Sequence, residues 1–237
     1  MAPPQNSDPL ERPGYRVLDT VERLLMVTLW FIVATVPTWL GLLFLIPDLR
    51  NVALFALAGW FLGPALSAGI YAMHRAEPGA DAPTRQFWRG YRLNLRQVSV
   101  LWTGVVLVVA VLVVDLVATG TPGSPIGTGW RVPLWVLLAG VAVWSMHLLV
   151  ILSNYNFRNR DALRLAGFYL LTKPLVSLSL LTLAVGLAVV GARAATALPV
   201  LGGVLSWAID RLSAPAQRAL RSRFVAAPPQ ATQSGDG

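Results

Sequence analysis

Five apolar stretches of roughly 20 residues each, parted by short charged segments, leave this chain few ways to fold. They lie near 22–46, 51–74, 98–118, 132–153 and 166–191. A helix of about 20 apolar residues crosses a hydrocarbon core about 30 Å thick. Charged residues make up only 13% of the 237, against about a quarter in a soluble domain. The expected class is an all-α, polytopic transmembrane helix bundle. A sixth stretch near 194–210, beginning AATALPVLGGVLSWAI, has about 16 apolar residues or ~24 Å of helix. It contains Pro199, Gly202 and Gly203, and hydropathy alone would also suit a re-entrant segment.

Charge decides in favour of a sixth crossing. With the N-terminus inside, sixteen of the 19 lysines and arginines fall in cytoplasmic segments. Only Arg50, Arg131 and Arg193 remain outside. Basic residues near span ends are retained in the cytoplasm, so the expectation is six spans with both termini inside. The first 20 residues are polar, and the apolar run after them is too long for the core of a cleavable signal. Residues 1–20 therefore read as a cytoplasmic segment and 21–210 as the membrane domain, with basic amphipathic segments at 84–97 and 156–165. Residues 211–237 read as a basic, then disordered, cytoplasmic tail.

The net charge of +8 sits beside the spans. It points to anionic lipid headgroups rather than nucleic acid. Arg85, Arg89, Arg92 and Arg96 recur at intervals of four, three and four, within a helical sector of roughly 60°. Phe87, Trp88, Tyr91 and Leu95 fall in another sector. This pattern predicts an amphipathic helix lying on the inner membrane surface, aromatics in the interface and arginines among phosphates. Gly90 weakens it by about 1 kcal/mol. The row suits a topology anchor or a docking surface. The polar neighbours Gln86, Asn94 and Gln97 do not suit a voltage sensor. Similar basic-aromatic segments precede the first and fifth stretches, PGYRVLDTVERL and YNFRNRDALRLAG, which suggests three helical hairpins in series.

The segments TLWFIVATVP (28–37), GPALSAGIY (63–71), FWRGYRLNLRQ (87–97) and NFRNRDALRLAGFYLLTKP (156–174) resemble the YesL family of bacterial integral membrane proteins. The resemblance covers most of residues 20–192, but residues 38–62 separate the tryptophan–proline part of the first stretch from Gly63-Pro64-Ala65, room for a complete first hairpin. It implies a bacterial plasma membrane protein associated with carbohydrate metabolism, with ABC-type sugar importer subunits as partners. It implies no catalytic residues.

Two in-membrane polar residues are candidate sites. Asp115 is an acid near the outer end of the third stretch, where Arg131 could pair with it. His147 lies in the inner half of the fourth, suited to an interhelical hydrogen bond or to a proton or hydroxyl contact. Pro37, Pro64 and Pro174 interrupt spans and free the carbonyls of Val33, Trp60 and Leu170. Such breaks line sites in transporters, or are satisfied by packing. Gly59 and Gly63 form a GxxxG pair that suits close helix packing. RDALRLAG faintly resembles the coupling loop of ABC permeases but lacks its downstream part, and reads as a helix start capped by Asn159 or Asp161. Cysteine is absent and the histidines number two, so no metal cluster, catalytic acid–base pair or cofactor motif emerges. The expectation is a non-enzymatic accessory or regulatory component of a carbohydrate uptake system, the alternative a small independent transporter or channel.

Overall fold

The computed structural model describes residues 13–46, 48–76, 81–120 and 128–224. Residues 1–12 of the N-terminal segment and 225–237 of the expected tail lie outside them. Among the described residues there is no strand. The α-helices are α1 (Pro13–Ala34), α2 (Val36–Phe44), α3 (Val52–Trp60), α4 (Leu62–His74), α5 (Pro83–Ala118), α6 (Arg131–Asn154), α7 (Asn159–Thr172), α8 (Pro174–Ala194) and α9 (Gly202–Phe224). Residues 49–74, α5, α6 and α8 are long and apolar enough to cross a membrane, and α1 with α2 makes a fifth if that bent pair is one span. Large apolar side chains stay on the outside, including Leu171, Leu175 and Leu178 at 80%, 80% and 60% exposure. That is the pattern of a bundle whose solvent is lipid.

The prolines act as helix starters. Pro37 and Pro64 lie in the first turns of α2 and α4, and Pro174 begins α8. There the missing N–H removes no bond from within the helix that the proline begins. At Pro37 the chain bends by 61°. Thr35 bridges the bend, donating to the Phe31 carbonyl at 2.6 Å and accepting from Trp39 Nε1 at 2.7 Å. Thr38 donates to the Ala58 carbonyl at 2.6 Å and ties α2 to α3. The expected fifth stretch, 166–191, is divided at Lys173 between α7 and α8. The three expected hairpins are not equivalent: α5 runs unbroken from its basic segment into its apolar one, whereas α7 and α8 are separate helices.

Side-chain pairs give the helix directions. Tyr71 packs on Gly90, and Gln86 donates to the Arg75 carbonyl, so α4 and α5 are antiparallel. Gly69 meets Ser206 and His74 meets Asp210, so α9 runs parallel to α4. One core cluster gathers Ile70, Val98, Leu148, Leu149, Leu180 and Ile209. A second holds Val27, Phe31, Ala65, Ala68 and Phe87. The 194–210 stretch is not one helix: residues 195–201 form a 3-10 segment that packs on α8, and α9 begins at Gly202. Residues 211–220 belong to α9 rather than to a tail, with Ser213, Ala216, Gln217 and Leu220 buried.

Candidate functional site

The segment 85–96 is not a separate helix. It is the first third of α5, about 54 Å long. No breaker stands between Gln97 and Val98, so the helix continues into the apolar stretch. The aromatics face protein more than an interface. Phe87 is fully buried, and Trp88 makes an edge contact with Trp30, ring centroids 5.4 Å apart. Gly90 is the cost of that packing: a Cβ there would lie 2.7 Å from the Tyr71 ring. On the opposite face Arg85, Arg89, Arg92 and Arg96 are exposed. Arg85 pairs with Asp81 at 3.2 Å. The other three make no ion pair with a described residue.

The row of α5 adjoins the start of α7. Gln97 Nε2 donates to the Phe157 carbonyl at 2.7 Å and to Asn159 Oδ1 at 3.0 Å. Arg158, Arg160 and Arg164 are exposed at this same end. Arg158, in extended backbone, occupies the N-cap position of α7 without a side-chain cap bond. Asn159 and Asp161 are therefore not caps; they lie in the first turn.

Interleaved with the arginines is a set of polar contacts that pattern reading passed over. Arg23, 4% exposed, donates from Nη1 to Gln86 Oε1 at 3.0 Å. The Ser153 hydroxyl lies 3.0 Å from Ser67 Oγ, and Asn94 Nδ2 reaches Ser67 Oγ and the Ser153 carbonyl, each at 3.4 Å. His74 Nδ1 lies 2.9 Å from Asp210 Oδ1, to which Gln217 Nε2 donates at 3.0 Å. Tyr155 donates to the Gln217 carbonyl at 3.4 Å. Most buried polar groups find partners, and these pairs join α1 to α5 and α4 to α5, α6 and α9. Arg75 lies over the Tyr71 ring at 4.5 Å, a cation–π contact.

His147 is buried in α6, with Nε2 3.1 Å from Ser177 Oγ. Ser177 Oγ also donates, at 3.0 Å, to the Leu170 carbonyl, the one freed by Pro174. With its single proton committed there, the hydroxyl accepts from a protonated Nε2. His147 and Pro174 thus belong to one interhelical bond network. The cavity beside His147, walled by Ser213, Gln217 and Tyr169, holds about 10 Å³. That is room for one water. Asp115 is exposed near the end of α5. It makes no ion pair with Arg131, whose guanidinium lies near Gly120 instead. Pro64 is buried in α4 and takes no part in those hydrogen bonds. Among the described residues no three His, Asp or Glu side chains converge as a metal site.

Exposed guanidinium groups in two adjoining rows can bind phosphate or carboxylate through charge-assisted hydrogen bonds. No family model, no curated protein and no solved structure matches this chain.

Proposed function

We propose that this chain is a non-enzymatic, multi-pass protein of the bacterial plasma membrane, whose basic end rests on anionic lipid headgroups and holds a partner. In this reading it is an accessory or regulatory component of an ABC-type carbohydrate uptake system. The carrying observation is the pair of exposed arginine rows on α5 and α7, six of whose guanidinium groups form no ion pair with a described residue. The carbohydrate context rests on the resemblance to the YesL family alone. A transporter of polar solutes built around His147 has less support, because a drug-sized ligand needs about 300 Å³ or more and the space there is about 10 Å³.

The threading that goes with this reading has six crossings, the last made by residues 195–201 and the start of α9. Its support is direction. Since α9 runs parallel to α4, Arg211 and Arg218 leave the bundle at the end where Arg75 and Arg85 lie. Concentration of basic residues at one end marks the cytoplasmic side.

The test is co-purification in mild detergent from the native membrane. Importer subunits should accompany the wild-type chain and be lost from the Arg89→Glu, Arg92→Glu double variant. Recovery of no importer subunit with the wild type, across several detergents, would sink the assignment.

A further inference from the structure

At the end of the bundle remote from the arginines, a cleft of about 630 Å³ opens between α3, α5 and α6. One face of α5 lines it through Trp102, Val105, Val109, Val113 and Val117, at the three- and four-residue spacing of a helix face. Phe55 and Ala56 of α3 form one flank, Leu138 and Ala142 of α6 the other. Exposure grades along it: Val105 and Ser145 are buried, Val106 and Val109 half-buried, Val113 and Val117 exposed. The cleft is thus a blind funnel that narrows toward the middle of the bundle. Its floor is Trp102, whose ring lies flush on Gly63 and whose Nε1 donates to the Gly59 carbonyl at 3.2 Å.

The dimensions select the occupant. From Trp102 to Val117 the axial length is about 22 Å. A volume of about 630 Å³ spread over that length makes a narrow, elongated groove. The walls offer a polar solute almost nothing to bond, whereas one polymethylene chain matches both width and polarity. The mouth is different. Asp48 lines it, accepting from the Arg50 N–H at 2.9 Å through Oδ1, and the exposed Arg50 follows. A carboxylate at the mouth complements a head group that carries an ammonium.

We propose that this cleft binds a single acyl chain of a membrane phospholipid whose zwitterionic, ammonium-bearing head group sits at the mouth with its ammonium against Asp48. The site is separate from the basic end, and its assignment does not rest on what docks there.

The full-length protein would be placed in vesicles of phosphatidylethanolamine and phosphatidylglycerol, with a trace of either lipid bearing a diazirine on its acyl chain. After illumination, labelled peptides are mapped. The phosphatidylethanolamine probe should label Val105–Val117 and Ala142 at least fivefold above the exposed Leu178–Val189 face of α8. Gly59→Leu, where a Cβ meets nothing within 4 Å, should abolish that excess while α8 labelling stays unchanged. Ala110→Leu, on the α5 wall, should do the same, so one misfolded variant cannot mimic the result. Asp48→Asn should equalise the two head groups in the cleft. Equal labelling of cleft and α8, or an excess that survives both filling variants, would mean ordinary surrounding lipid and overturn the proposal. Equal labelling by both head groups in the wild type would overturn the zwitterionic assignment.

Discussion

Replacing Gly203 by alanine tests how the C-terminal helix is held. A Cβ at this position would lie 2.5 Å from the Leu24 carbonyl oxygen, and against Thr28 Oγ1 as well. The obstructing atom is backbone in the middle of α1, so no rotamer change relieves it. Restoring ordinary contact needs α1 and α9 to part by about 1 Å. That separation also breaks the bond from the Gly203 N–H to Thr28 Oγ1, 3.1 Å long. Overpacking of this kind costs about 1–3 kcal/mol. The lost hydrogen bond adds about 0.5–1.5 kcal/mol. Alanine's better helix propensity returns less than its usual ~1 kcal/mol, because Gly203 is in the first turn of α9. The net expectation is a loss of about 2–3 kcal/mol. At about 2–4 °C per kcal/mol for a chain of this size, the melting midpoint falls by ~5–10 °C. Thermal unfolding in a mild detergent, followed by tryptophan fluorescence, measures it. The control is Gly104→Ala in mid-α5, where a Cβ meets nothing within 4 Å and the midpoint should hold or rise by a few degrees. If Gly203→Ala melts with the wild type, α9 does not lie against α1 as described, and the parallel course of α4 and α9 loses its anchor.

Ser177→Ala strips His147 Nε2 of its acceptor and the Leu170 carbonyl of its donor, and should cost about 1–2 kcal/mol in the same assay. Ser177→Thr, which keeps the hydroxyl, should recover most of that loss. Asp210→Ala leaves His74 and Gln217 facing an absent acceptor and should cost about 1–3 kcal/mol, with Asp210→Asn milder; equal stability of Asp210→Ala and wild type would remove the clamp between α4 and α9. The chain has no cysteine, so single cysteines report topology cleanly. Cysteines placed at Arg92 and Arg218 should react with an impermeant maleimide only after the cytoplasmic face is opened, and those at Arg50 and Arg131 in intact cells. The opposite pattern would invert the threading.

Membrane class, helix content and most span positions are legible in the sequence because lipid imposes a simple rule: about 20 apolar residues, helical, with basic ends. The roles of the prolines were half legible. Their freed carbonyls can be counted from position alone, and Ser177 does cap that of Leu170. Whether a proline kinks a span or begins a new helix depends on packing on either side, and Lys173–Pro174 turned out to part an amphipathic α7 from an apolar α8. The arginine periodicity was plain on α5. Its aromatic face looked interfacial because Phe87, Trp88 and Tyr91 suit a lipid boundary as well as a protein one; only the partner surface, with Tyr71 against Gly90, tells the two apart. Asp210, Gln217 and Ser213 were the real omission. In ALPVLGGVLSWAIDRLSAPAQRAL the polar residues read as the start of a tail. They recur three and four apart, so they share the face of α9 that turns toward His74 and Tyr155. The faint signal was that spacing, carried through Pro215, which α9 tolerates.

The unbroken length of α5 has a mechanical consequence. Arg89 and Val113 sit on one rigid rod, 24 residues or about 36 Å apart. A tilt of about 5° that moves the Arg89 end aside swings the far end by ~3 Å relative to it. The basic end and the wall of the cleft thus lie on one element, and a tilt imposed at one end displaces the other without any change of fold.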